Sequence, residues 1–265
     1  PFYDALHGAA GLRHILVRHE QAAAHAAVGY ARAGHRVGVC VATSGPGATN
    51  LVTGLATAHM DGSPVLAITG QVGRPMLGRD AFQETDVVGV TMPVTKHNVL
   101  VRDVEELADD VRNAMAIAME GRPGPVLDDV PKDDQNQKAE YQVPGVRGQR
   151  EVPRHLTPDT WPLEQVAHLI ASAERPLLMI GHGVIVSEAY AAIRALAELT
   201  GMPVVTTLLG ISAFPQAHEL HLGMPGMHGE VHVNKAIQAA DLIIGIGMRF
   251  DDRVTGNTAT FAPCA

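Results

Sequence analysis

The sequence predicts an α/β protein of two doubly wound parallel-sheet domains, the second truncated. Three observations predict it. Short β-branched runs alternate with Ala-rich helical stretches, Gly- or Ser-rich turns punctuate the alternation, and a polar, proline-bearing stretch interrupts it midway. At 265 residues the chain has room for two cores of ordinary size. The first domain is expected at 1–131, a linker at 132–162 and the second, incomplete domain at 163–265.

Residues 15–17 and 37–42 read as buried strands and 65–69 as a third, with helices at 21–33 and 48–59 between them, so the sheet is parallel. Val104, Leu107, Ala108, Val111, Ala114, Met115 and Ala118 recur at helical spacing, and 125–130 return as a strand. From Lys132 the periodicity disappears into Gln135, Asn136, Gln137, Lys138 and Glu140, then Pro144, Pro153 and Pro158. Helices at 163–173, 188–200 and 231–240 then alternate with strands at 177–180, 204–208 and 242–246. Three strands are few for an open sheet with helices on both faces. The chain opens at Pro1 without an initiator Met and stops at Ala265 shortly after a strand-like run, so a fragment of a longer protein is expected.

Composition excludes several function classes. A net charge of -8 repels a phosphate backbone, and 4% aromatic residues leave few stacking platforms, so nucleic acid is not an expected partner. Cys40 and Cys264 stand alone without metal-ligand spacing, which fits a reducing, cytoplasmic setting; an organellar address stays open if a transit peptide preceded Pro1. No apolar run approaches the ~20 residues of a membrane span. His228-Gly229-Glu230-Val231-His232 and His218-Glu219-Leu220-His221 both miss the zincin spacing, and surface or helix-start roles are favoured for these imidazoles. No metal ligand is assigned.

Two features could carry chemistry. Glu20 stands where a strand gives way to the Ala-rich run from Gln21, in expectedly dry surroundings that would raise its pKa and let it share a proton with a ligand's ring nitrogen. A first-turn Glu facing the helix dipole explains it as well. Ser44-Gly45-Pro46-Gly47-Ala48-Thr49-Asn50 is neither a P-loop nor a dinucleotide fingerprint, and by itself reads as a tight strand-to-helix turn with free amides.

Taken in order, these motifs form a series. Arg18-His19-Glu20-Gln21, Gly29-Tyr30-Ala31-Arg32 and Thr43 through Asn50 are followed by Thr69-Gly70-Gln71-Val72 and Asp80-Ala81-Phe82-Gln83-Glu84. Gly121-Arg122-Pro123-Gly124-Pro125-Val126 and Pro131-Lys132-Asp133 complete the first domain. The second adds Leu222-Gly223-Met224, Gly226-Met227-His228-Gly229 and Arg249 through Gly256. Over essentially its whole length the chain resembles the large catalytic subunit of the acetohydroxyacid (acetolactate) synthases, in the thiamine-diphosphate superfamily.

That resemblance implies a pyrimidine-binding first domain and an FAD-binding middle domain. Glu20 is expected to hydrogen-bond the cofactor's N1′, with Gly45, Pro46 and Asn50 also at the cofactor. Gln83 and Phe82 are expected beside the reaction centre and Lys132 at the mouth of the substrate channel. Arg253 suits a substrate carboxylate because its planar fork can hold both oxygens, and Met227 would form an apolar wall. Arg122, Gly181, Gly183, Thr207, Leu208, His228, Gly247, Arg249 and Asp251 match flavin positions, the flavin being structural. Thiamine diphosphate, FAD and Mg2+ are the implied cofactors, the metal and diphosphate ligands being expected on a missing C-terminal domain. Small 2-ketoacids are the implied substrates: pyruvate loses carbon dioxide and its two-carbon unit joins a second 2-ketoacid, in branched-chain amino-acid biosynthesis. A homodimer or dimer of dimers and a small regulatory subunit are the implied partners. The fragment alone is expected to be inactive. A non-catalytic FAD-binding or docking module and another thiamine-dependent decarboxylase or pyruvate oxidase are the competing readings. Asp128 departs from the family's apolar residue on the last strand of the first domain, and His182 from its small residue in a turn.

Overall fold

The computed structural model describes residues 1–139 and 160–265, which fall into two compact units, Pro1–Arg154 and His155–Ala265. The expected linker residues 140–159 lie outside the described residues.

In the first unit α1 (Phe2–His7) precedes α2 (Glu20–Gly34), β1 (Gly38–Ala42), α3 (Pro46–Asn50), α4 (Val52–Asp61) and β2 (Val65–Gln71). Then come α5 (Val87–Thr91), β3 (His97–Leu100), α6 (Val104–Met119), β4 (Pro125–Pro131) and α7 (Lys132–Asn136). All strands run parallel in the order β1-β2-β4-β3. His19 starts α2 by accepting the Gln21 N–H on Nδ1, and the helix buries Ala24, Ala27, Val28 and Ala31 at i, i+3, i+4 and i+7. Ala24, Ala27 and Val28 join Leu51, Leu55, Val65 and Leu127 in one core beneath the sheet. On the other face Ala114 and Ala118 of α6 cover Leu66 and Val126.

Two expectations need correction here. Residues 15–17 form no strand, and Leu16 is 82% exposed; strand-like composition cannot replace a hydrogen-bonded ladder. The polar run from Lys132 begins with a helix rather than a linker, with Asp134 buried on its inner side.

The second unit carries α8 (Thr160–Ser172), β5 (Pro176–Ile180), α9 (His182–Val186), α10 (Tyr190–Thr200), β6 (Val204–Thr206), β7 (His221–Gly223), α11 (Val231–Ala239), β8 (Leu242–Ile246) and α12 (Asp252–Thr255). Its parallel sheet has the order β7-β6-β5-β8, one strand more than expected because β7 is only a short edge piece. Leu178, Ile180, Ile193 and Val204 centre the core on one face, and Leu177, Met179, Val205 and Ile237 on the other. The chain leaves β5 toward β6 on one side and returns to β8 on the other. That places a topological switch point at the carboxyl ends of β5 and β8, where open sheets form ligand crevices. Among the described residues no helix is long and apolar enough to cross a membrane.

Candidate functional site

Glu20 opens α2 and Asn50 closes α3; the Asn50 Nδ2–H donates to Glu20 Oε2 at 3.0 Å. This hydrogen bond holds the Glu20 carboxyl below its ordinary pKa, helped by the residue's own backbone N–H and opposed by partial burial. The expectation of dry surroundings and a raised pKa is therefore wrong. The carboxyl is half-exposed, and a donor 30 residues away outweighs the weak desolvation.

Glu20 faces the turn between β1 and α3. A Cβ added at Gly47 would lie 2.8 Å from Thr43 Cγ2 and 3.6 Å from Glu20 Oε1, so the turn passes close to the carboxylate. Gly45 has φ of 62°, and a Cβ there would come within 2.6 Å of the Gln83 carbonyl oxygen. The turn and the Gln83 loop thus pack main chain to main chain, and Pro46 starts α3 with its φ already helical. Glu20, Asn50, Gly45, Pro46 and the Gln83 backbone are brought together. The side chain of Phe82 in the same loop is 88% exposed.

Lys132 is exposed at the head of α7, where β4 ends. Arg74 ties that helix to the segment after β2. Its N–H and Nε–H donate to the Asp133 carboxylate at 2.9 Å, its Nη2 lies 3.2 Å from Asp134 Oδ1, and its Nη1–H donates to the Arg102 carbonyl. Arg122 donates from Nη2 to the Met60 carbonyl at 2.6 Å.

In the second unit Gly181, Gly183 and Gly247 meet at the switch point. The Gly183 N–H donates to the Gly247 carbonyl at 2.8 Å, and a Cβ at Gly181 or Gly183 would sit 2.6 Å from the Gly247 main chain. The Thr207 N–H donates to the Ile180 carbonyl at 2.9 Å, which puts Thr207 and exposed Leu208 at the adjoining carboxyl end of β6. Past β8, Arg249 and Asp251 pair at 3.4 Å, and Asp251 caps α12 through the Val254 N–H. Met227 and Arg253 share a backbone hydrogen bond of 2.8 Å and line one cleft of about 540 Å³. His228 is exposed next to Met227. His182, the departure in the turn after β5, directs Nδ1 to the Leu209 carbonyl at 3.3 Å.

Two organising residues escaped the sequence reading. Asn234 accepts the Gly226 N–H at 2.8 Å and donates to the Gly226 carbonyl at 2.9 Å, clamping the loop that bears Met227 and His228. Glu84 gathers backbone amides of the loop that bears Phe82 and Gln83. Periodicity is blind to both; the cluster of Gly78, Asp80 and Glu84 was the available turn signal.

The departure at Asp128 places a carboxyl in the interior of the sheet. Its side chain is wholly buried, neither carboxylate oxygen has a hydrogen-bond partner among the described residues, and burial pushes its pKa up to about 6 with Asp110 adding repulsion. Neighbouring Asp129 points to the opposite face, where Thr69 Oγ1–H and Gln71 Nε2–H donate to it at 2.6 and 2.9 Å.

Residues 1–90 match the family described as thiamine pyrophosphate enzyme, N-terminal TPP binding domain, and residues 163–265 match thiamine pyrophosphate enzyme, central domain. The chain is 54% identical over 268 residues to an acetolactate synthase large subunit of Corynebacterium glutamicum, covering all of this chain and 42% of that protein. It is 51% identical over 267 residues to a probable acetolactate synthase large subunit of Methanocaldococcus jannaschii, covering 99% of this chain and 45% of that one. Against an acetolactate synthase large subunit of Parasynechococcus marenigrum the identity is 50% over 275 residues, covering 100% and 44%. The chain spans less than half the length of these relatives.

Proposed function

Because the chain belongs to the thiamine pyrophosphate enzymes, we propose that it supplies the pyrimidine-binding and central domains of an acetolactate synthase. In that reading the complete protein decarboxylates pyruvate and joins the two-carbon unit to a second 2-ketoacid, in the biosynthesis of valine, leucine and isoleucine. The observation that carries the reading is the Glu20 carboxylate, held by Asn50 against the glycine turn that the Gln83 loop backs.

The residues present fit the thiamine cofactor. Asn50 engages Glu20 Oε2, which leaves Oε1, beside the Gly47 turn, as the oxygen for a ring nitrogen of the aminopyrimidine. When bound, the cofactor supplies the carbanion chemistry that a side chain cannot. The chain's own contribution is positional and electrostatic. Glu20 in its protonated form would donate a hydrogen bond to N1′, and exclusion of water there would work against the acidifying Asn50. The Gln83 amide can hydrogen-bond reacting oxygens, Phe82 shapes the pocket, and Lys132 stands at its mouth. Arg253 holds a substrate carboxylate beside the Met227 wall. Mg2+ and the diphosphate are left to residues outside this set.

FAD is proposed to lie at the carboxyl ends of β5, β6 and β8. Close-packed Gly181, Gly183 and Gly247 shape the turns there, beside Thr207 and Leu208, with Arg249, Asp251 and His228 within the following loops. The support is the switch point itself, where the missing Cβ atoms let the turns after β5 and β8 pack main chain to main chain. A homodimer or dimer of dimers and a small regulatory subunit, in the cytoplasm, complete the proposal; the relatives' name, large subunit, supports the small partner.

The test is the complete gene product supplied with pyruvate, thiamine diphosphate, Mg2+ and FAD. Acetolactate is the expected product, and Glu20→Gln should lower its formation at least ~100-fold. Acetate or acetaldehyde in place of acetolactate would overturn the proposal.

A further inference from the structure

We infer that Glu84 is a positioning residue, whose carboxylate closes residues 78–84 into a ring that presents Phe82 and Gln83. The inference rests on the reading above for what those two side chains do. Its geometry stands apart from that reading.

Glu84 Oε1 accepts the Gly78 N–H in a short contact, and Oε2 accepts the Ala81 N–H at 2.9 Å and the Arg79 N–H at 3.3 Å. Its own N–H donates to the Ala81 carbonyl at 2.9 Å. One side chain thereby satisfies three amides that would otherwise face water. The ring needs such a clasp, because Gly78, Asp80 and Gln83 are all left-handed, with φ of 72°, 51° and 58°. No residue from Gly78 to Gln83 is buried, so apolar packing cannot impose these conformations.

The base of the ring is fixed independently. Gln71 Nε2–H donates to the Thr85 carbonyl at 2.8 Å, and the Asp86 side chain caps α5 through the Gly89 N–H. Amides rather than a side-chain cation bind Glu84, and the Ala81 and Gly78 N–H groups hold its pKa below the ordinary carboxylate value. The charged groups around it are Arg79 and Asp80 in the ring, and Asp86, Arg102 and Asp129 along the adjoining cleft. With the carboxylate ionised, the Gln83 backbone stays seated on the Gly45 turn beside Glu20. Without it, Phe82 and Gln83 keep their chemistry and lose their address.

Residue-resolved amide exchange on this 265-residue chain tests the clasp directly. The Gly78, Arg79 and Ala81 amides should exchange ~10-fold faster in Glu84→Gln and Glu84→Ala, with β2 and β4 unchanged. In the complete gene product Glu84→Gln should reduce acetolactate kcat/KM by ~10–100-fold, and should flatten the acid limb of the pH profile where wild-type Glu84 takes up a proton. Unchanged protection at the three amides, or lost protection with wild-type turnover and pH profile, would overturn the inference. A wild-type protein that makes no acetolactate would remove the functional reading and leave the exchange result to decide the clasp.

Discussion

In the first unit the middle strands carry polar side chains into the interior, with Thr69 and Gln71 on β2 and Asp128 and Asp129 on β4. In the second, β5 and β6 bury Leu177, Leu178, Met179, Ile180, Val204 and Val205, and Thr206 is the buried polar residue of that sheet among the described residues. The candidate sites differ in the same way. Around Glu20 the working groups are side chains held by other side chains, so their charge states depend on distant partners. Around Gly181 and Gly247 main chain packs on main chain, so shape rather than charge sets the local geometry. One parallel-sheet plan therefore serves a titratable site in the first case and a close-approach site in the second.

The largest effect expected from breaking this contrast is at Asp128. Its folded-state pKa of about 6 lies above the ~3.9 of a free carboxyl, so the folded chain binds more protons than the unfolded chain between about pH 4 and pH 6. Stability therefore falls as pH rises through that window, and the loss levels off above it at about 3 kcal/mol. Asp128→Val should recover about that much at pH 7.5 and little at pH 4, read from urea unfolding at the two values. Asp129 has a pKa also near 6, but Thr69 and Gln71 partly offset its burial, so its share of the slope remains in the variant. A valine variant no more stable at pH 7.5 than the parent would refute the picture of an unpaired buried charge.

Gly247→Ala makes the complementary test in the second unit. Gly247 has φ of 62°, and a Cβ there would meet the Val184 backbone nitrogen at 2.6 Å. The left-handed backbone and the clash together should cost about 2 kcal/mol. The loss should be the same at pH 5 and pH 8, because no titratable group is involved. FAD affinity, followed by quenching of flavin fluorescence, should fall in parallel; intact stability and affinity would mean that the close approach does not matter.

The contrast also explains what the sequence disclosed. Apolar β-branched runs gave β1, β2, β4, β5, β6 and β8, because burial on both faces of a parallel strand writes itself into consecutive residues. β3 (His97–Leu100) and β7 (His221–Gly223) are short edge pieces of mixed polarity, without a pattern long enough to read. Residues 15–17 had the composition of a strand and pair with no strand among the described residues. The glycine cradle of the second unit was legible as Gly-x-Gly turns after strands. The direction of the Glu20 shift was not, since it is set by Asn50 on another helix. The Glu84 clasp stayed hidden for a related reason: its partners are backbone amides, which every residue carries and no residue type announces.

The smallest expected effect is also the most specific probe of the titratable site. Asn50→Ala removes the donor to Glu20 Oε2, the leading cause of that carboxyl's lowered pKa, and leaves partial burial to act against the remaining backbone donor. The Glu20 pKa should therefore rise. The sign for stability follows: a carboxylate with a depressed folded-state pKa adds stability above its unfolded pKa and loses it on acidification, so the alanine variant should be less stable at pH 7 and nearly equal to the parent once Glu20 is protonated. An exposed hydrogen bond of this kind contributes about 1 kcal/mol or less. Carboxyl-carbon NMR titration of Glu20 reads the shift, and an unmoved or lowered pKa would mean that Asn50 does not hold the charge. Asn50→Asp sharpens the result, because it replaces the donor with a second negative charge and should raise the Glu20 pKa further than alanine does.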